Sequence, residues 1–130
     1  METTTVRCAC GNLSLEIEGD TSDALSAICH CGMCREMTGA PYFWGNGFTP
    51  DRITVRGETT CFVRQTNRRH SCAKCGAYLF EEVPAFGVTM VSAAQMDQPA
   101  PPMMHIFVAD KIYPLPEDGL PRFDAIPPSE

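Results

Sequence analysis

Seven of the eight cysteines fall into three close groups. They are Cys8-Ala9-Cys10-Gly11, Cys29-His30-Cys31-Gly32-Met33-Cys34 and Cys72-Ala73-Lys74-Cys75-Gly76. One or two residues between cysteines suit the convergence of thiolates on a single ion, and the same spacings meet disulfide geometry poorly. The opening residues, Met1-Glu2-Thr3-Thr4-Thr5, lack the basic region and apolar run of a secretory leader. A cytoplasmic location is therefore expected, where thiols stay reduced. Together these features predict a zinc protein rather than a disulfide framework.

Cys72 and Cys75 have the two-residue gap of a zinc knuckle, with Gly76 allowing a tight turn after them. A closed tetrahedral site wants four ligands, and Cys8 and Cys10, followed by Gly11, supply the other two. Such a site clips the N-terminal segment to one more than sixty residues away. Structural zinc in small peptides is worth about 10–16 kcal/mol apparent, more than any single core contact.

The middle group reads differently. In an extended stretch Cys29 and Cys31 point to one side and His30 to the other. A following turn brings Cys34 back to the same ion. Three thiolates leave one position for water or substrate, the arrangement of a catalytic zinc. Two alternatives remain: His30 as the fourth ligand, which the alternation disfavours, or a second structural zinc closed by a residue elsewhere. Cys61, alone between Thr60 and Phe62, is expected to be a small buried apolar residue. His70 and His105 are expected at surface or satisfied core positions. Met103 and Met104 are expected at a pocket edge.

The elements that must position these groups are short. Leu13 to Ile17 alternates apolar and polar as a half-buried strand does. Further strands are predicted over Ala27–Cys31, Tyr42–Trp44, Ile53–Val55 and Cys61–Val63. The pattern resumes over Ala77–Val83, Val88–Ser92 and His105–Val108. A helical turn is predicted from Cys31 to Thr38, stopped by Gly39, with Pro41 discouraging its continuation. Gln98 to Pro102 is loop, and the prolines from Pro114 onward exclude a regular element. The chain thus predicts a mainly β domain over residues 6–123, with residues 1–5 and 124–130 as flexible ends.

Composition bounds the function. The 130 residues are 44% hydrophobic, ordinary for one globular domain. No apolar run approaches the roughly 20 residues that span a membrane. The net charge of -6 argues against a nucleic-acid partner, and Arg64, Arg68, Arg69 and Lys74 form only a local basic patch.

Cys8-x-Cys10-Gly11, Cys29-His30-Cys31-x-x-Cys34-Arg35, Thr38-Gly39-Ala40 and Cys72-x-x-Cys75-Gly76 resemble the glutathione-dependent formaldehyde-activating enzyme family, which includes centromere protein V-like proteins. The resemblance runs from about Val6 to Phe123. It implies an Mss4-like fold of small antiparallel sheets around two zinc ions. The structural ion would lie on Cys8, Cys10, Cys72 and Cys75, and the catalytic or exchangeable one on Cys29, Cys31 and Cys34. The activity implied is that of a zinc-dependent carbon–sulfur lyase, forming or cleaving S-hydroxymethylglutathione without an organic cofactor. Arg35, Arg68 and Arg69 are then candidates to clamp the glutathione carboxylates, because a guanidinium binds a carboxylate bidentately. The rival class is a noncatalytic zinc scaffold that binds another protein. Three places depart from the family pattern. His70 stands where an aromatic residue is common, Ala93 to Asp97 where Gly-Thr-Leu-Asp is usual, and Tyr113 where tryptophan is.

Overall fold

The computed structural model describes residues 2–128, and it is mainly β. A three-stranded sheet has the order β1 (Thr3–Arg7), β2 (Ser14–Glu18) and β5 (Ile53–Arg56), all antiparallel. The other strands are β3 (Leu25–Cys29), β4 (Phe43–Phe48), β6 (Thr59–Arg64), β7 (Asn67–Cys72), β8 (Tyr78–Val83), β9 (Val88–Ser92) and β10 (Met104–Ile106). They make a seven-stranded sheet in the order β10-β3-β4-β9-β8-β7-β6. This sheet is mixed, not wholly antiparallel as expected, because β10 runs parallel to β3. The one α-helix among the described residues, α1 (Gly32–Thr38), is capped by Gly39 in the left-handed conformation.

The core lies between the sheets. Thr4 and Val6 of β1 and Leu15 and Ile17 of β2 point inward at alternate positions. Val6, Leu15 and Ile17 share one buried cluster with Phe48, Phe80 and Val91 of the large sheet. Full burial of one such aliphatic side chain contributes about 1.5–3 kcal/mol. The opposite face of the large sheet is turned away from this core. Residues of the other parity, among them Ala27, Cys29, Phe43, Met90 and Ile106, line a cavity there.

Both chain ends differ from expectation. Residues 3–5 belong to β1, and its two inward side chains fill the core, so the sheet rather than a flexible end begins at Thr3. At the other end the described residues after Pro114 form no strand or helix but are tied down by backbone hydrogen bonds. Phe123 N–H donates to His105 O at 2.9 Å, and His105 N–H to Pro121 O at 2.9 Å. Asp124 and Ala125 accept from Ala109 and Phe107, so these residues, expected to be flexible, extend the tie. Residues 129 and 130 of that expected tail lie outside the described residues. The 98–102 loop is fixed by a buried polar knot. Ser26 Oγ accepts from Trp44 Nε1 and Asn46 Nδ2 and donates to Ala100 O.

Strand β7 has no counterpart among the expected strands. Its buried mid-strand residue is the charged Arg69, on the cavity face, which inverts the hydropathy alternation by which strands are read. Cys61, expected to be buried, is exposed. It sits on β6, the sheet's edge strand, where both faces meet solvent. Among the described residues, no helix is long and apolar enough to cross a membrane.

Candidate metal centres and the adjoining cavity

Cys8 and Cys10 leave the end of β1, and Cys72 and Cys75 flank the turn after β7. Gly76, at φ +80°, supplies the left-handed residue that turns the chain behind Cys75. The fold brings the four sulfurs within 4.8 Å of one another, across 62 positions of sequence from Cys10 to Cys72. The Cys8–Cys10 and Cys10–Cys72 Sγ separations are 3.6 and 3.7 Å. Tetrahedral zinc with Zn–S bonds of about 2.3 Å requires sulfurs about 3.8 Å apart. Backbone N–H groups already point at these sulfurs. Leu13 donates to Cys8 Sγ at 3.3 Å, and Lys74 and Cys75 both donate to Cys72 Sγ at 3.4 Å.

Those donors favour thiolates. Burial opposes ionisation of Cys8, but the Leu13 N–H and the thiols of Cys10, Cys72 and Cys75 outweigh it and bring the group down to about 6. At Cys10 the Asn12 N–H favours the thiolate, yet burial and the neighbouring sulfurs push the group up to about 11. Sulfurs this close cannot all ionise unaided. A divalent cation among them resolves the conflict, so the donor set fits zinc.

Cys29 ends β3 and Cys31 caps α1, its Sγ accepting from Cys34 N–H at 3.3 Å. The helical turn returns Cys34 to the same place, and the three sulfurs lie within 4.8 Å of one another, with Cys29 and Cys31 at 3.4 Å. Hydrogen bonds from Cys29 and Cys34 hold the Cys31 thiol far below its ordinary value, against burial. Cys34 moves far the other way under the influence of Cys29 and Cys31, and then of burial. Left to themselves the three share one negative charge, and a cation is again what lets the others ionise.

His30 turns away from this cluster. Its Nε2 lies 3.0 Å from His105 Nδ1, and His105 Nε2 lies 2.8 Å from Asp118 Oδ2. Asp118, held below the usual carboxylate range first by His105 and then by the Leu120 N–H, accepts from His105 Nε2–H. One proton lies between His105 Nδ1 and His30 Nε2, and the tautomers of the two rings set which nitrogen donates it. His30 Nδ1 is buried with no partner among the described residues. Burial, then the charges of His105, Lys111 and Arg122, disfavour the imidazolium of His30. The chain links the Cys29–Cys31 turn to the C-terminal segment, a connection that nothing in the sequence announces.

Cys29, Cys31 and Cys34 border the cavity on the outer face of the large sheet, which encloses about 570 Å³. Of the three candidate arginines, only Arg69 lines it. Arg69 is 8% exposed, and its Nε lies 3.2 Å from Glu81 Oε2, while Nη2 reaches Glu36 Oε1 at 3.0 Å and Met33 O at 3.2 Å. Arg35 lies behind the cluster and donates to the carbonyls of His30 and Asp110 at 3.0 and 2.6 Å. Arg68 is exposed and points to the other face of its strand. Met104 lines the cavity and Met103 is exposed. Phe43 also lines it, whereas Trp44 packs on the core.

Sequence reasoning passed over Tyr78. Its ring meets Phe43 edge-on at 5.7 Å, and its hydroxyl is buried with no partner among the described residues. Burial, then the charges of Glu81 and Cys34, raise its pKa well above the ordinary value, so it remains an O–H donor.

The family model for glutathione-dependent formaldehyde-activating enzyme matches residues 3–110. No curated protein sequence matches the chain. A Rhodobacter sphaeroides protein of known crystal structure is similar in fold, with a TM-score of 0.61 at 19% identity, over 92% of this chain and 98% of that one.

Proposed function

Because the chain belongs to the glutathione-dependent formaldehyde-activating enzyme family, we propose that it makes or breaks the carbon–sulfur bond of a thiol–aldehyde adduct at Cys29, Cys31 and Cys34. The adduct type that the family description suggests is S-hydroxymethylglutathione. The observation that carries this reading is the contrast between the two clusters. Four sulfurs, the number a closed tetrahedral site needs, gather away from the cavity, while three sulfurs border it, one short of that number.

The reaction balances without an oxidant. In the forward direction a sulfur–carbon bond forms, the carbonyl π bond opens, and the proton lost by sulfur ends on oxygen. Zinc, when bound, supplies the positive charge that favours a thiolate near neutral pH. The chain's own residues do the rest. Cys29, Cys31 and Cys34 fix the reacting centre at the cavity wall. Arg35 braces the turn that carries them by holding the His30 and Asp110 carbonyls. The apolar lining limits water around the reacting carbon, which strengthens electrostatic interactions there.

Native mass spectrometry of gently purified protein tests the metal assignment, and exchange of ¹³C-formaldehyde with glutathione followed by NMR tests the reaction. Two zinc ions per chain and accelerated exchange are expected. The Cys31→Ser variant should keep one zinc and lose the acceleration. One zinc in the native chain with no acceleration would leave only a structural metal site.

A further inference from the structure

The cavity beside the three-cysteine cluster has a chemistry of its own. Four thioethers, from Met33, Met37, Met90 and Met104, line it together with aromatic and aliphatic side chains. Methionine is unbranched and polarizable, and it adapts to apolar ligands of varied shape. The space is made by the sequence of β4. Gly45 and Gly47 stand on the cavity face, where a Cβ at 45 would lie 2.8 Å from the Phe43 ring and 2.9 Å from Met90 Cε. At 47 it would lie 2.7 Å from Met90 Sδ. Absent side chains at these two positions let Phe43 and Met90 lie over the strand and form the floor.

Charge is scarce in this space. Arg69 is the one cationic residue among those lining the cavity, and it is already bound to Glu81 and Glu36. Arg64 also pairs with Glu36, so two guanidiniums balance two carboxylates and this edge leaves no unpaired cation for an incoming carboxylate. Glutathione carries two carboxylates and an ammonium group, and beyond the paired Arg69 and Glu81 the lining offers them only the neutral Gln65, Thr66 and Asn67. A cavity of this size with few polar groups is suited to a largely hydrocarbon ligand.

We propose that the cavity takes an uncharged hydrocarbon group carried by the thiol–aldehyde adduct, so that the preferred substrate is a thiohemiacetal with an alkyl or aryl substituent. The proposal rests on the reading of the three-cysteine cluster as the place where the carbon–sulfur bond is made. The hydrocarbon can come from the aldehyde or from the thiol. In either case the step is the same: R–SH adds to R′–CHO, a sulfur–carbon bond forms, the carbonyl π bond opens, and the sulfur proton passes to oxygen.

The test compares three pairs on the zinc-loaded protein: glutathione with formaldehyde, glutathione with hexanal, and hexane-1-thiol with formaldehyde. At least one hydrocarbon pair should exceed the plain pair by about tenfold or more in kcat/KM, as discrimination in an apolar pocket allows. Whichever of the two is faster assigns the hydrocarbon to aldehyde or thiol. Leu25→Lys and Phe86→Lys place a cation at the rim, at residues 43% and 61% exposed and therefore tolerant of change. Both should shrink the preference, and circular dichroism should show them folded. Calorimetry with hexan-1-ol supplies a readout free of the reaction, with a negative heat-capacity change expected on binding. Turnover of the plain pair as fast as either hydrocarbon pair, or a preference untouched by both lysines, would overturn the proposal. If no pair is accelerated, the lyase reading fails. The cavity proposal then fails as an account of substrate choice, and hexan-1-ol binding would show only that the cavity is apolar.

Discussion

Replacing Arg69 with methionine separates two roles for that residue, carboxylate clamp and structural tie. Arg69 joins three elements: β7, which carries it, β8 through Glu81, and α1 through Glu36 and the Met33 carbonyl. Glu36 is 45% exposed on its side chain, so its share is that of a surface pair, about 0–1 kcal/mol. Glu81 is different, with its side chain only 11% exposed. Removing its partner leaves a buried carboxylate without compensation, which costs about 3–5 kcal/mol. For a domain of this size that lowers Tm by about 10–20 °C.

Urea unfolding of the zinc-loaded protein measures the loss, provided the m-value is unchanged. The double variant Arg69→Met with Glu81→Leu should recover most of it, because replacing both members of a buried pair by apolar groups is near neutral. A loss below about 1 kcal/mol for the single variant would refute this reasoning. A rise in KM for glutathione without loss of stability would then restore Arg69 as a ligand clamp.

Cys10→Ser should remove one zinc and lower Tm more than Cys31→Ser does, because the four-sulfur set joins the N-terminal sheet to the turn after β7; metal counting with thermal melts checks both. Tyr78→Phe deletes a buried hydroxyl without a partner, so stability should hold or rise, by up to about 1–3 kcal/mol. A fall in exchange rate at unchanged Tm would mark that hydroxyl as a proton donor in the reaction. Gly45→Ala drives a methyl into the Phe43 ring and should cost about 1–3 kcal/mol. Gly47→Ala meets mainly the flexible end of Met90 and should cost less than half as much, and chemical denaturation of the two variants side by side tests the difference. Asp118→Ala breaks the contact with His105, so the Phe123 amide should exchange faster in hydrogen-exchange NMR while the core strands keep their protection.

The cysteine pairs and trio were legible in the sequence because spacings of one or two residues are written locally, whereas the joining of Cys8 and Cys10 to Cys72 and Cys75 spans 62 positions and was inferred by completing a set of four. The helix from Gly32 to Thr38 was legible from local signals too, since its cap is Cys31 and its stop is Gly39. Strand β1 was missed although Thr3-Thr4-Thr5-Val6 is a β-branched run. Its strand character lies in side-chain stiffness rather than in hydropathy contrast, and the partner that orders it, β2, begins only at Ser14, beyond the Cys8–Leu13 loop. Strand β7 was missed because an ion pair replaces hydrophobic burial at Arg69. Cys61 was misplaced because an edge strand has the same composition as a central one.

The cavity was the least legible part, and the reason is topological. Its walls come from β3, β4, β7, β8, β9 and β10, and their order in the sheet is not their order in the chain. Met90 and Leu25 are far apart in sequence, yet both meet the hollow left at Gly47. A motif can record each pair or trio of cysteines, because its members are near neighbours in the chain. It cannot record what lies opposite the metal, because that depends on which face each of six strands presents. The cysteine clusters and the lining of the cavity beside them are therefore specified separately in this fold. The shape of the cavity can change through β4 and the methionines while every cysteine stays in place.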